Sequence, residues 1–248
     1  MLGLFDSGSG GLTVLAAIRR RAPDADIAYF GDIENAPYGE RSADELVLLT
    51  KGGMNILRKM GADEIVSACN SVSLSVLEGA AGDARVIEMT RPLAHAMRTH
   101  AGKRMLLIAT PATIAAGIYR SALGVSVQLD ELPIPELAGA IEFGAAEEKI
   151  SSILSRAFSI KKGNVYDGVI LGCTHYPLVR DVIERVAADV FGPLLIIDPA
   201  DAVAEEVERQ FDTKGSGATQ FRISKDSEIF RTRVAELFRG SRYTIDVV

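Results

Sequence analysis

Short, near-continuously apolar runs alternate with longer segments of helical spacing along the whole 248-residue chain, and no other feature restricts its fold as much. The runs Met1–Phe5, Asp26–Gly31, Glu64–Ala68, Arg85–Glu88, Arg104–Ala109, Val125–Leu129, Gly168–Leu171, Leu194–Ile197 and Thr219–Ile223 are the expected strands. A strand with one wet face alternates apolar and polar residues. A strand apolar throughout is covered on both faces, as in parallel sheets flanked by helices. Between the second and third runs, Leu46, Leu49, Gly53, Ile56, Leu57 and Met60 share one face at helical spacing. Ser42 is the expected N-cap there, with Glu45 completing a capping box, while Gly52 and Gly53 weaken the helix. Repeated strand–helix–strand units imply an α/β fold. Apolar residues make up 48 % of the chain and aromatics only 6 %, so the core is expected to be aliphatic.

Two stretches share one order of residue types. Asp63–Glu64–Ile65–Val66–Ser67–Ala68–Cys69–Asn70–Ser71 reads acid, apolar strand, small residue, thiol, then two polar residues. Asp167–Gly168–Val169–Ile170–Leu171–Gly172–Cys173–Thr174–His175 repeats that order 104 residues later. A weaker pair, Leu2–Ser7 and Leu106–Pro111, recurs at the same offset. Two related α/β halves are expected.

Lys and Arg number 27 against 33 Asp and Glu, for a net charge of −6. Phosphate-backbone binding needs clustered cations, so a nucleic-acid partner is not expected. The longest basic run, Arg19–Arg20–Arg21, ends a helical segment, where it complements the helix dipole in solvent. The N-terminus enters a strand directly, without a charged leader and cleavage site. No apolar stretch approaches the ~20 residues that span a bilayer. The expectation is a soluble, cytoplasmic protein without a membrane partner, in which both cysteines are reduced thiols.

Five constellations could carry chemistry. In Gly3–Leu4–Phe5–Asp6–Ser7–Gly8–Ser9–Gly10–Gly11, glycines follow a strand and precede a helix, which lets a backbone approach a ligand and favours an anion. Thr13 stands where a dinucleotide fingerprint needs its third glycine, although Asp32 lies near the place of a ribose-binding acid. Asp6 ends a parallel strand and so points toward the ligand crevice of such sheets. Cys69 with Asn70 and Ser71, and Cys173 with Thr174 and His175, also follow strands. A helix beginning after each would lower its thiol pKa. Two cysteines without C-x-x-C or H-E-x-x-H spacing give no metal site. His95 and His100 carry no motif. Pro37, Tyr38 and Gly39 shape a loop after the second strand, and Thr110 and Thr113 bracket a strand-to-helix turn.

Together, DSGSGG, PYG, ACNS and GCTHYP, in that order, resemble the glutamate racemases of the aspartate/glutamate racemase superfamily. The resemblance runs from the first strand to Phe221–Phe238. It implies two similar α/β domains with parallel-rich sheets and an active site in the cleft between them. Residues 1–92 plus 205–248 would form one domain and 93–204 the other. It also implies cofactor-free interconversion of L- and D-glutamate, supplying D-glutamate for peptidoglycan. By the same resemblance Cys69 is the base toward D-glutamate and Cys173 the base toward L-glutamate. Asp6 partners Cys69, His175 partners Cys173, and Glu142 lies near the second thiol. Ser7, Pro37, Tyr38, Gly39, Asn70, Ser71, Thr110, Thr113 and Thr174 match substrate-contacting positions. Family members are often dimeric, which leaves a homodimer open.

Three positions depart from the family pattern. Ser71–Val72 replaces the usual Thr–Ala, Glu88–Met89–Thr90–Arg91–Pro92 replaces a Glu–Pro–Gly stretch, and Ala116 stands where Ser is common. An aspartate racemase or related amino-acid racemase is the nearest alternative, disfavoured by His175, where relatives acting on aspartate often carry an acid. A non-catalytic amino-acid- or nucleotide-binding relative is the second alternative, disfavoured by retention of both thiols.

Overall fold

The structure, a computed structural model, describes residues 1–248 apart from Ser73, Ala81 and Val125 and the side chains of Leu74 and Ser75. Its strands are β1 (Leu2–Asp6), β2 (Ile27–Gly31), β3 (Glu64–Ser67), β4 (Arg85–Glu88), β5 (Arg104–Ala109), β6 (Gln128–Pro133), β7 (Gly168–Gly172), β8 (Leu195–Ile197), β9 (Thr219–Ile223) and β10 (Tyr243–Val247). The helices are α1 (Gly11–Arg21), α2 (Ala43–Lys59), α3 (Leu74–Ala80), α4 (Thr90–Ala96), α5 (Pro111–Ala116) and α6 (Ile118–Leu123) in the first part of the chain. They continue as α7 (Leu137–Glu142), α8 (Glu147–Ser159), α9 (Arg180–Phe191), α10 (Pro199–Gln210) and α11 (Glu228–Leu237).

The strands form two parallel sheets, ordered β10-β9-β2-β1-β3-β4 and β6-β5-β7-β8. The order 2-1-3-4 in the first recurs as 6-5-7-8 in the second, so the two halves share a topology as well as a motif. In each half the chain leaves the central pair, β1/β3 or β5/β7, toward opposite sides. That is the switch point where open α/β sheets leave a crevice at their carboxyl ends. Asp6 ends β1, and the thiols follow β3 and β7.

Continuous apolarity has the expected cause. Leu2, Leu4, Ile27 and Tyr29 pack with Leu15, Ile18, Val203 and Phe230 on one face of the first sheet. Phe5, Ala28 and Phe30 point the other way, onto Met54 and Leu57. The second sheet divides likewise, with Leu106, Ile108 and Val169 facing Leu154 and Ile183 while Met105, Leu107 and Ile170 face Leu93 and Leu123. The cut after residue 204 falls inside α10, a helix whose Ala200, Val203, Ala204 and Val207 all pack with the first sheet's core.

Two strands differ from expectation. The expected run at 125–129 overlaps β6 only at Gln128 and Leu129, and Val125 is outside the described residues. β6 is a half-buried edge strand, QLDELP, whose polar residues mask it, while Val127 packs beneath it against Leu123. β10 was not expected at all. In this exposed edge strand Ile245 packs against the core, and the Tyr243 ring meets the core residue Phe221 edge-on with centroids 5.9 Å apart. The Arg19–Arg21 run is also more engaged than a solvated helix end. Arg19 donates to the Ala218 carbonyl and to Thr219 Oγ1, and Arg21 pairs with Glu208 of α10 at 2.9 Å. Among the described residues no helix is long and apolar enough to cross a membrane.

The capping box on α2 forms as expected: Glu45 N donates to Ser42 Oγ, and Ser42 N donates back to the Glu45 carboxylate at 2.9 Å. The two glycines of this helix serve different ends. A Cβ on Gly52 meets nothing within 4 Å, whereas one on Gly53 would lie 2.3 Å from Phe5 Cε2. Gly52→Ala is therefore expected to stabilise the protein by about 0.5–1 kcal/mol. Gly53→Ala should destabilise it by about 1–3 kcal/mol through overpacking. Urea unfolding of both variants checks the opposite signs.

Candidate active site

The loops after β1, β3, β5 and β7 meet between the sheets. Cys69, at the exit from β3, is 5 % exposed, and Cys173, at the exit from β7, is 6 % exposed. Both thiols are free. Their surroundings differ in charge. Cys69 Sγ donates to Ser7 Oγ at 3.4 Å. Burial and the neighbouring Asp6 carboxylate push this thiol up to about 12, outweighing Ser7 and the Ser71 N–H. The lowering expected from a following helix is absent, since α3 begins only at Leu74 and burial dominates. Cys69 is thus held as a thiol.

Cys173 Sγ lies 3.7 Å from His175 Nδ1, and His175 Nε2 lies 2.7 Å from Glu142 Oε2. Burial opposes a charge on His175, but the Cys173 sulfur and the Glu142 carboxylate outweigh it and hold the imidazole pKa well above its ordinary value. Burial likewise opposes charge on Glu142, yet His175, Ser9 and Arg233 bring its pKa down to about 2. The ring is therefore an imidazolium pinned to a carboxylate, with its other nitrogen turned to the sulfur.

Asp6 is fully buried. Its Oδ1 accepts from Gly8 N at 3.0 Å and its Oδ2 from Thr174 Oγ1 at 3.1 Å. Burial raises its pKa against the pull of His175 and of the Gly11 and Gly8 N–H groups. Asp6 therefore acts on Cys69 through charge, while the hydrogen bond it accepts from Thr174 reaches across to the second half. The glycines of DSGSGG serve the same junction. A Cβ on Gly8 would lie 2.9 Å from Glu142 Oε1, and one on Gly10 would lie 2.4 Å from Thr174 Oγ1 and 2.7 Å from His175 Nδ1. The close approach these glycines permit is to the other half of the protein, and the place of an anion is taken by Glu142.

The remaining expected residues fall at the same junction. Ser71 Oγ is 3.2 Å from Thr110 Oγ1, which is in turn 3.0 Å from Thr113 Oγ1 and caps α5 through Thr113 N. Ser71 thus keeps the hydroxyl bridge between halves. A Cβ on Gly39 would lie 2.6 Å from Thr110 Cβ, so the Pro37–Gly39 loop closes over that turn. Tyr38 is buried, and its hydroxyl donates to Asp32 Oδ2 at 2.6 Å. Asp32 also accepts from Asn35 Nδ2 and from Ser224 Oγ, which removes it from any ribose-binding role. Asn70 Oδ1 accepts from the Tyr119 hydroxyl, and its buried Nδ2 has no partner. The departing stretch at 88–92 is a cap: Glu88 accepts from Thr90 N at 2.6 Å and from Arg91 N at 2.8 Å.

Sequence reasoning missed Ser9, Tyr119 and Arg233. Ser9 lay inside the glycine motif, where its partner 133 residues away could not be read. Tyr119 and Arg233 sit in ordinary helical patterns with no local signal.

This geometry agrees with three comparisons. A family model described as Asp/Glu/Hydantoin racemase matches residues 12–207. Glutamate racemase 3 of Caldanaerobacter subterraneus subsp. tengcongensis is 33 % identical, over all of this chain and 94 % of its own length. The glutamate racemase of Aquifex aeolicus is 35 % identical over 92 % of this chain and 89 % of its own. The crystal structure of a glutamate racemase isoform from Bacillus anthracis superposes with a TM-score of 0.86 at 28 % identity, covering 100 % of this chain and 97 % of that one. With paired thiols at matching strand ends and full-length relatives of this kind, the chain belongs to the Asp/Glu/Hydantoin racemase family.

Proposed function

We propose that this protein interconverts L- and D-glutamate without a cofactor, by proton transfer between Cys69 and Cys173 on opposite faces of the α-carbon. The observation that carries this reading is the unequal setting of two thiols at equivalent strand ends: Cys69 beside an acid, Cys173 beside an imidazolium. L-Glutamate meets Cys173 as thiolate, with His175 donating to the sulfur. The thiolate takes the α-proton, and Cys69, a thiol, delivers its proton to the other face. D-Glutamate leaves, with Cys173 now a thiol and Cys69 a thiolate. In the reverse direction Cys69 is the base and Cys173 the acid.

The α-proton is weakly acidic, so the site must stabilise negative charge by fixed donors and by excluding water. Asn70 Nδ2 is such a donor, buried and unpartnered, with its amide oriented by Tyr119. Ser7, Ser71, Thr110, Thr113 and Thr174 supply hydroxyls around it. Tyr38 offers ring and backbone, since its hydroxyl is committed to Asp32. Pro37 and Gly39 hold that loop against Thr110. Two free thiols suit a reducing compartment such as the cytoplasm, where D-glutamate would serve peptidoglycan synthesis.

The test is incubation of the purified protein with L-glutamate and with L-aspartate separately, without additives, followed by chiral separation. D-Glutamate should accumulate to an equal mixture. Turnover of aspartate in preference to glutamate would overturn the substrate assignment.

A further inference from the structure

We propose that Arg233, on the C-terminal helix α11, is a positioning residue for proton transfer at Cys173. It acts by fixing Glu142 against His175. The inference rests on the two-thiol reading above, because it assigns work to a residue outside the cleft loops.

Arg233 is largely buried, its side chain 15 % exposed, and it reaches from α11 to two separate segments. Its Nη1 donates to Ser9 Oγ and lies 3.5 Å from Glu142 Oε2. Its Nη2 donates to the carbonyl of Ile141, the residue before Glu142. Ser9 completes the clamp, donating through Oγ to Glu142 Oε2 at 2.5 Å and through its N–H to both carboxylate oxygens at 3.2 and 3.3 Å. One guanidinium thus grips the end of α7 by its backbone and the Glu142 side chain directly and through Ser9. A carboxylate so held has one free direction, toward His175 Nε2 at 2.7 Å.

The planar fork matters here. Lysine would keep the charge but present a single nitrogen, which cannot serve the Ile141 carbonyl and the Ser9–Glu142 pair together. Burial of most of the Arg233 side chain makes the loss of these bonds costly. The charged and titratable groups around the relay are Glu142 from α7, Cys173, His175 and Tyr176 following β7, Asp6 from the end of β1, Cys69 following β3, Tyr29 from β2, and Glu236 and Arg233 itself from α11. In Arg233→Lys the charges of this set are unchanged, so any change at His175 reports position.

The chain has 3 histidines, so imidazole titrations can be followed individually by nitrogen-15 NMR. In Arg233→Lys the His175 midpoint should move to lower pH. Racemisation measured as kcat/KM should fall about tenfold to a hundredfold, as for a misplaced catalytic group. Ser9→Ala should shift His175 in the same direction, and the double variant should lose no more than the worse single one, because both act on one carboxylate. An unmoved His175 midpoint in a folded Arg233→Lys variant would overturn the proposal, whatever happened to the rate. So would additive losses in the double variant. The titration needs no substrate, so it can fail or succeed independently of the glutamate assignment.

Discussion

Cys173→Ala is expected to lower glutamate racemisation by about 10³–10⁴-fold, and Cys69→Ala by as much, since each removes one general acid–base. The losses must be equal in both directions. A racemase has an equilibrium constant of unity, so kcat/KM for the two enantiomers is tied together in every variant. Removing the base toward L-glutamate therefore also removes the acid that completes the reaction of D-glutamate. The difference between the thiols shows instead in partial reactions. Cys69→Ala keeps Cys173, His175 and Glu142, and should still exchange the α-proton of L-glutamate with solvent. Cys173→Ala should exchange D-glutamate only. Circular dichroism at a fixed wavelength measures racemisation, and proton NMR in D₂O measures exchange. Near-native racemisation by either folded variant would rule out the two-base mechanism.

The second large effect is expected from Glu142→Gln. His175 would remain buried with its charge no longer balanced, and breaking a buried ion pair costs about 3–5 kcal/mol. Its pH dependence follows from the two shifts. Glu142 is held down from 4.5 to about 2, so its contribution is present above pH 4.5 and is lost as pH falls toward 2. His175 is held above 6.5, so its contribution is full below pH 6.5 and is lost as pH rises through its folded value. The parent should therefore exceed the variant most between pH 4.5 and 6.5, with the gap narrowing on either side. The alkaline limb of kcat/KM should also move to lower pH, because an unpaired imidazolium gives up its proton sooner. Urea unfolding and a pH–rate profile measure the two effects. A gap that stayed constant from pH 3 to pH 9 would show that the pair is not ionic.

Most of the architecture was legible because burial on both faces writes itself into a strand. β1, β2 and β7 are buried along their whole length, and their apolar runs placed them within a residue or two. Two edge strands leave no such trace, unlike β4 and β8, which lie at the other edges and still show theirs. β6 and β10 follow polar or half-exposed sequences, and pairing rather than composition makes them strands. At the site, the thiols and Asp6 could be found because their chemistry and strand-end positions are local facts. The uses of Gly8 and Gly10 were not local. Their spacing resembles an anion-binding turn, and only the fold shows Glu142, Thr174 and His175 arriving from the other half. Asp32 is the converse case: a carboxylate at a ribose-like position, committed to Tyr38, Asn35 and Ser224. The unequal charge around the two thiols was legible in outline from Asp6 and His175. Its direction at Cys69 was not, because the burial that raises that thiol depends on how tightly the halves close.

The distribution of deuterium after early reaction of L-glutamate in D₂O tests the central claim most directly. Cys69 exchanges its proton with solvent before substrate binds, while Cys173 carries away the protium it removes. Newly formed D-glutamate should therefore hold deuterium at the α-carbon, and the remaining L-glutamate should still hold protium. D-Glutamate that retained protium, or deuterium entering unreacted L-glutamate as fast as product, would mean one base serves both faces and would contradict the account.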